Sequence, residues 1–249
     1  MRYFLEIAYH GKNYYGWQRQ PDAISVQEVV EDALSKLLRT EVNITGAGRT
    51  DTGVHAKQLF AHFDVDFLAD VKQLKYRLNS FLPKDISVQD VFEVTPKAHA
   101  RFDATQREYE YWITLEKSPF LNGLAYLLRK NPNMDLMNKA AEILFQYHDF
   151  QCFSRTKTDV KTYHCTIKKA NWEQKGSKLV FTIAADRFLR NMVRAIVGTM
   201  LEIGYEKMTL EDFHTVIQHK NRSNAGASAP AHGLYLTKVI YPESIKIKQ

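Results

Sequence analysis

The sequence predicts an α+β protein built from two similar halves, each with the element order β-α-β-β-α-β. Three observations lead to this prediction: short alternating segments typical of strands, apolar residues at helical spacing between them, and recurrence of the same order in the second half. The 249 residues are enough for one large domain or two modest ones. We place the boundary between an N-terminal half, residues 1–103, and a C-terminal half, residues 104–249.

The first half begins with the alternating segment Arg2–Tyr9, which predicts a strand. A capping-box pattern at Ser25 and Glu28 predicts the start of a helix, which continues through apolar residues at helical spacing to Leu38. Strands are then predicted over residues 43–47 and 55–64, a helix from Asp70 to a stop at Pro83, and a strand over residues 86–94.

The second half repeats the order. A strand is predicted over residues 108–116, a helix over 136–145, and a hairpin over 163–172 and 178–184 with its turn near Gly176. An apolar stripe from Leu189 to Leu201 predicts the next helix, Thr209 caps a short extra helix, and residues 234–241 form the closing strand. Two such halves favour two antiparallel sheets joined side by side, with a cleft that suits an extended ligand.

Composition excludes several classes of protein. No apolar run approaches the roughly 18 residues of a membrane span, and the N-terminus runs directly into a strand, so we expect neither a membrane anchor nor a signal peptide. Cys152 and Cys165 are the only cysteines, too few for a disulfide framework, and they predict a reducing cytoplasm. Together with His148 and His164 they lack the spacing of a tetrahedral metal site, so we expect no metal and interpret all four as structural.

Positive charge is concentrated in one stretch. The net charge is +6, whereas residues 153–194 alone hold ten bases and three acids, a local charge of +7. Aromatic residues are interleaved with these bases, which would offer a polyanion both phosphate contacts and stacking surfaces. The alternative is a solvated face whose aromatic residues point into the core. Charge alone leaves both interpretations open.

The loop between the strands predicted at 43–47 and 55–64 contains the most reactive pattern. Asp51-Thr52-Gly53 is typical of a hairpin turn that needs no catalysis. Arg49, two residues away, would keep a partly buried Asp51 ionised, as nucleophilic catalysis requires. The triplet also matches aspartic proteases, but those enzymes need two carboxylates that share a proton, and the chain carries the triplet once.

The segment from Gly48 to Ala56 resembles the signature of the TruA family of tRNA pseudouridine synthases. Five more segments resemble that family's motifs in the same order along the chain. They are Tyr15-Gly16-Trp17-Gln18-Arg19-Gln20-Pro21, Ala100-Arg101-Phe102-Asp103-Ala104, Arg107-Glu108-Tyr109-Glu110-Tyr111, residues 188–198, and residues 221–236.

This resemblance implies the pseudouridine synthase fold and an enzyme without a cofactor, an isomerase that converts uridine to pseudouridine. The implied substrate is tRNA, at positions 38, 39 and 40 of the anticodon stem-loop, bound by a homodimer. The catalytic aspartate of the family matches Asp51, with Tyr109 and Arg194 as its partners. Arg49, Tyr109 and Leu234 match positions that contact the substrate.

Two other functions remain open at this point. A related pseudouridine synthase could act on another RNA with the same chemistry. A non-catalytic RNA-binding module would account for the basic stretch and the repeated fold. The joint presence of Asp51, Tyr109 and Arg194 favours an enzyme.

Overall fold

The computed structural model describes residues 1–155 and 160–247. The chain forms two compact units: the first contains Met1–Gln106 and the C-terminal segment from Leu236, and the second contains Arg107–Tyr235. Within the described residues, no helix is both long and apolar enough to cross a bilayer.

The described residues form nine strands and five α-helices, α+β in class. In chain order they are β1 (Arg2–Tyr9), α1 (Val26–Leu38), β2 (Thr45–Gly46), β3 (His55–Asp64), α2 (Val71–Phe81), β4 (Ile86–Val94), β5 (Gln106–Thr114), β6 (Tyr126–Leu127), α3 (Met134–Ile143), β7 (Ile167–Lys175), β8 (Lys178–Ala185), α4 (Met192–Gly204), α5 (Leu210–His219) and β9 (Leu234–Ile240).

The first unit is a sheet covered by two helices. Its strands lie in the order β4-β1-β3-β9, with the short β2 paired to β3. β1 is antiparallel to both β3 and β4, and its register on β3 shifts at a bulge between Ile7 and Tyr9. α2 packs on β4 and against α1. The core of this unit contains fully buried Leu5, Ile7 and Leu59.

The second unit has the strand order β5-β8-β7, antiparallel throughout, with β6 parallel to β5. α3 packs on α4, α5 and β7. Trp172 on β7 stacks on Phe181 of β8 at 4.9 Å between ring centroids, and its indole N–H contacts Met200 Sδ of α4 at 3.3 Å. The Trp172 side chain thus joins the sheet to α4, the helix that carries Arg194.

Polar caps fix where the helices begin. The Ser25 hydroxyl accepts the Glu28 amide at the start of α1, which is the N-cap half of the predicted capping box. Asp70 accepts two amides of α2 at 2.9 Å each. At α5, Thr209 and Asp212 form a complete reciprocal capping box. Each cap satisfies amides that otherwise have no partner within the helix.

The strand predicted over residues 43–47 is wrong in length, because only Thr45–Gly46 pairs with β3. Side chains of α1 take the hydrogen bonds of the preceding residues. The Ile44 amide donates to the buried Glu31 carboxylate at 3.0 Å, and the Ile44 carbonyl accepts from Gln27 at 2.9 Å. A buried carboxylate that binds backbone is not visible in a pattern of hydrophobicity.

Several elements of the second unit depart from prediction; α4, for example, begins at Met192 rather than at Leu189. The strand predicted from 163 begins only at Ile167, because the Cys165 amide donates to the His148 carbonyl and the Thr166 amide to the Asp186 carboxylate. β6 was not predicted, since two residues are too few to show a period. α3 ends at Ile143 and continues as a 3-10 turn rather than to residue 145.

A buried histidine connects β3 to the turn that follows β4. His62 is 7% exposed, and its Nδ1 accepts the Ala100 amide at 3.2 Å. Burial, reinforced by the charge of Arg2, lowers the pKa of His62 to about 4. His99 lies against it at 4.6 Å between ring centroids and also has a lowered pKa, chiefly through burial. The folded protein therefore resists protonation of this pair.

We predict that acid destabilises the protein partly through His62. An unfolded histidine has a pKa near 6.5, so the stability that neutral His62 provides is complete above that pH and is lost as the pH falls towards about 4. One proton corresponds to a slope of about 1.4 kcal/mol per pH unit. His62→Asn keeps an acceptor but cannot ionise, so it should reduce the slope of unfolding free energy against pH by about one proton. His219→Asn, at an exposed site, is the control; equal slopes in both variants would contradict the prediction.

Candidate functional site

Asp51 lies in the loop between β2 and β3 of the first unit. It is partly exposed, between buried Thr50 and exposed Thr52, and Arg49 in the same loop is exposed. The Asp51 carbonyl accepts the Val54 amide at 3.1 Å, which closes a turn, and Gly53 adopts a φ of +79°. The turn suggested by Asp51-Thr52-Gly53 is therefore present, and Arg49 lies two residues before Asp51 in the same loop.

The residue before Asp51 is held by a second loop, residues 10–17. The Trp17 amide donates to the Thr50 carbonyl at 3.4 Å, and the Tyr9 hydroxyl is hydrogen-bonded to the Thr50 hydroxyl at 2.8 Å. Gly16 has a φ of +87°, and a Cβ placed there would lie 2.3 Å from the Thr50 carbonyl oxygen. Glycine is thus required both by the backbone angle and by the close approach.

Trp17 supports the other side of the same loop. Its side chain is 2% exposed and stacks with Tyr9 at 6.2 Å between ring centroids. A Cβ on Gly46 would lie 2.3 Å from Trp17 Nε1, so only glycine fits beneath the indole. The Gly16-Trp17 segment and the Asp51 segment, separated by more than thirty residues, pack together as one structure.

Three further residues of this structure were not predicted from the sequence. His55, 2% exposed, accepts the Gly11 amide at Nδ1, and the Gly53 amide donates to the Tyr14 carbonyl at 3.3 Å. The Tyr14 hydroxyl donates to Asp85 at 2.6 Å; burial and this hydrogen bond raise the pKa of Tyr14. Their sequence signal is weak because each acts through hydrogen bonds to a segment distant in the sequence.

Tyr109 lies on β5 of the second unit, opposite Ile183 of β8. Its ring is partly exposed and meets Phe188 edge-on at 5.2 Å between centroids. Tyr111, two residues along on the same face, is fully buried and donates its hydroxyl to the Pro230 carbonyl at 2.8 Å. Tyr109 is therefore the more accessible of the two tyrosines on this face.

Arg194 projects from the first turn of α4 and is partly exposed. Its Nε donates to the Ala229 carbonyl at 2.7 Å, while the Ala229 amide donates to the Arg194 carbonyl at 2.9 Å. The segment around Ala229 lies close to the helix because α4 carries glycine there: a Cβ on Gly198 would lie 1.7 Å from the Ala227 carbonyl oxygen. These contacts fix the direction of the guanidinium.

The same segment leads to Leu234, the first residue of β9, which is 6% exposed. Gly233 packs on the Tyr111 ring, where a Cβ would lie 2.7 Å from Cζ. His232 has a lowered pKa, first through burial and also through the charge of Arg194. In the second unit, residues 229–234 thus contact Arg194 and Tyr111 and lead into Leu234, while Tyr109 lies two residues from Tyr111 on β5.

The basic stretch, residues 153–194, is less available than its charge suggests. Lys157 and Asp159 lie outside the described residues. Lys175 pairs with Glu173 at 2.8 Å and with Glu110 at 3.4 Å, and Lys169 pairs with Glu108 at 4.0 Å. Three of its five aromatic residues are buried in the core, so the stacking interpretation is wrong for them: Phe153, Trp172 and Phe181.

Cys152 and Cys165 are buried free thiols, and burial raises the pKa of each to about 12. Thiols in this state are poor nucleophiles and poor metal ligands. Their environment agrees with the structural interpretation of both residues.

Comparison with known families gives one match over most of the chain. A model of the family described as tRNA pseudouridine synthase matches residues 7–103 and 140–242. These ranges include Arg49, Asp51, Arg194 and Leu234 but not Tyr109.

Individual relatives match over nearly the whole length. The chain is 51% identical to tRNA pseudouridine synthase A of Parabacteroides distasonis, over 98% of this chain and 97% of the relative. It is 51% identical to the protein of the same name in Bacteroides thetaiotaomicron, over 98% and 92%, and 39% identical to that of Bacillus licheniformis, over 97% and 99%. Among solved structures, a CRISPR endoribonuclease Cse3 bound to RNA is 10% identical over 82% of this chain and 97% of that chain, with a TM-score of 0.21, too low to indicate a common fold.

We predict that Gly16→Ala destabilises the loop that carries Asp51. The added methyl group would meet the Thr50 carbonyl oxygen at 2.3 Å and impose an alanine at a φ of +87°, at a cost of about 2 kcal/mol or more. Gly48→Ala is the control in the same loop, because no atom lies within 4 Å of the position that its methyl group would take. Urea unfolding should separate the two variants; equal midpoints would show that the Gly16 contact is not constraining.

Proposed function

The chain belongs to the tRNA pseudouridine synthase family, and from this premise we propose that it isomerises uridine to pseudouridine in tRNA, at positions 38, 39 and 40 of the anticodon stem-loop. The observation that carries the proposal is the loop of Asp51, whose neighbouring residues are fixed by hydrogen bonds and by glycine contacts. A loop whose backbone is held in this way suits a reaction that depends on placing one nucleophile against one nucleotide.

In the proposed reaction the Asp51 carboxylate attacks the nucleoside, at ribose C1′ or at uracil C6. The N1–C1′ bond breaks, the base turns, a C5–C1′ bond forms, and the bond between the carboxylate and the nucleoside breaks, which frees Asp51 again. The proton on C5 passes to solvent and N1 gains a proton, so the product is an isomer of the substrate and no redox partner is consumed. Release of the C5 hydrogen therefore reports the complete reaction.

The other residues act on the same uridine in this proposal. Tyr109 stacks on the base and takes part in proton transfer, and its partly exposed ring is suited to that contact. Arg194 pairs with the Asp51 carboxylate, as the family resemblance implies, and its guanidinium is held by the Ala229 carbonyl. Leu234 provides an apolar contact to the base.

Arg49 positions the displaced nucleotide or a phosphate, because it is exposed in the same loop as Asp51. A uridine paired in a stem must leave the helix before a carboxylate reaches it, which costs a few kcal/mol of stacking and pairing. Charged and aromatic side chains that capture the displaced nucleotide offset that cost. For the architecture we still predict two repeated halves, residues 1–103 and 104–249, with a cleft that receives the RNA.

We further propose that the enzyme works as a homodimer in the cytoplasm. The dimer rests on the family resemblance, in which one tRNA contacts both subunits. Two free thiols, Cys152 and Cys165, suit a reducing compartment, and so does a tRNA substrate. Light scattering of the purified protein gives the oligomeric state directly.

A related enzyme that modifies another RNA is the alternative. It would use the same residues, so variants of Asp51 do not distinguish the two. Pseudouridine mapping of total RNA from cells with and without the gene does: sites lost only at tRNA positions 38 to 40 support the proposal, and sites lost only elsewhere overturn its choice of substrate.

We predict that Asp51→Asn abolishes tritium release from C5-labelled uridine in tRNA, because an amide cannot act as the nucleophile. Binding of tRNA should survive, since the backbone contacts of the loop do not use the carboxylate. Asp66→Asn, an exposed position after β3, removes the same charge and should retain wild-type turnover. If Asp51→Asn kept its turnover, the carboxylate would not be the nucleophile.

We also predict that Arg194→Lys lowers kcat by about tenfold or more while leaving stability nearly unchanged. Lysine keeps the charge but cannot donate to the Ala229 carbonyl and to a carboxylate in the fixed geometry of a guanidinium. Arg190→Lys, four residues earlier, exposed and just before α4, is the matched control. A loss of kcat equal in the two variants would remove Arg194 from the proposed site.

A further inference from the structure

The outer face of α2 is basic and aromatic. We define this α2 face as Lys72, Lys75, Tyr76, Arg77, Phe81 and Lys84. Residues 71–84 contain four bases and no acid. The helix packs on the unit through Leu74 and Leu78, which are 5% and 0% exposed, whereas Tyr76 is 74% exposed and Phe81 50%.

The positive charge of the α2 face is not neutralised within the chain. Among the described residues, no salt bridge involves any of its four bases. The two carboxylates that flank the segment are engaged elsewhere: Asp70 caps α2, and Asp85 accepts the Tyr14 hydroxyl and the Asn13 amide group. The lysines at 169 and 175 in the basic stretch, by contrast, are paired.

The aromatic residues of this face are available to a ligand. Lys36 Nζ of α1 lies 5.6 Å from the centroid of the Phe81 ring, which adds a further cation to the surface. Tyr76 lies one turn from Lys72 on the helix, and its hydroxyl has no hydrogen bond among the described residues. Cations alternating with exposed rings are typical of surfaces that bind a nucleic-acid backbone and stack its bases.

The α2 face is linked to the Asp51 loop by a short series of contacts. Three residues after Phe81 comes Lys84, and then Asp85, whose carbonyl accepts the His10 amide and whose carboxylate accepts from Tyr14. The Tyr14 carbonyl in turn accepts the Gly53 amide, two residues from Asp51. From this end the eleven residues of α2 extend about 16 Å. An RNA with its uridine at Asp51 would have further phosphates within reach of the face.

We propose that the α2 face binds the ribose-phosphate backbone of the RNA substrate, with Tyr76 as a stacking surface. This assignment rests on the proposed function for the identity of the RNA, and on charge, exposure and connectivity for the site. It gives the first unit a substrate-binding surface of its own, separate from the basic stretch of the second unit.

The test compares two triple variants that each remove three positive charges. K72Q/K75Q/R77Q alters the α2 face, and K207Q/K220Q/K246Q removes three lysines that are ion-paired elsewhere on the surface. For the first we expect the Kd for an unmodified tRNA transcript to rise roughly tenfold or more, and the slope of log Kd against log salt to fall by about 2 to 3. KM should rise and kcat should hold.

The control variant should change Kd and slope much less. If the two variants lost equal affinity for tRNA, the effect would come from net charge alone and the proposed site would be wrong. An unchanged Kd with a change in molar mass by light scattering would instead make the α2 face a contact between copies of the chain, which also overturns the proposal.

Tyr76 is tested separately. Tyr76→Ala should weaken tRNA binding about fivefold or more, and Tyr76→Phe should bind within about twofold of wild type, because the ring and not the hydroxyl stacks. If both bound like wild type, Tyr76 would not contact RNA. Binding is measured without turnover, so failure of the proposed isomerisation, seen as no pseudouridine from the wild-type enzyme, is distinguishable from failure of this site.

Discussion

The close approach of the Thr50 carbonyl to Gly16 is the constraint on which the rest of the candidate site depends. The loop that carries Asp51 could adopt many conformations by itself, since a hairpin-type turn of this composition is common on surfaces. Here the Thr50 carbonyl lies where any side chain at position 16 would collide, and the Thr50 hydroxyl is hydrogen-bonded to the Tyr9 hydroxyl. Because both the backbone carbonyl and the side chain of Thr50 are held, Asp51, the next residue in the chain, starts from a defined position. Precise placement of a single carboxylate is what a reaction without a cofactor requires.

The second unit uses the same physical means on a helix. Gly198 lets the Ala227 carbonyl approach α4, and the backbone of Ala229 is then bonded to Arg194 in both directions. In the first unit a distant segment holds the backbone next to Asp51, in the second it holds the Arg194 side chain, and glycine permits each contact. Backbone acceptors suit this purpose because they have no rotamers to lose, so the orientation of the charged group costs little further entropy. The proposed catalytic groups are therefore supported by parts of the chain that have no chemistry of their own.

The fold and the site differ in how far the sequence predicts them. Most helices and long strands follow from hydrophobic period and caps, as at Ser25, because those signals are local. The strand over residues 43–47 is shortened by the buried carboxylate of Glu31, a contact between elements that no period records. The candidate residues are identified by the family resemblance, because Arg194, considered without it, has the pattern of a surface arginine. The supporting contacts, such as the hydrogen bond from Tyr14 to Asp85, depend on distances between segments that only the folded chain defines.

Recognition of RNA and placement of the reactive groups make opposite demands on a side chain. A cation that attracts phosphate must face water and stay unpaired, whereas a cation that orients a carboxylate must be fixed by neighbours. Lys175 lies in the most basic stretch of the sequence but is paired with two glutamates, so most of its field is neutralised locally. Lys72 and Arg77 belong to a helix without acids and keep their charge towards solvent. The net charge of +6 is therefore a poor guide to where RNA binds, and the distribution of unpaired bases is a better one.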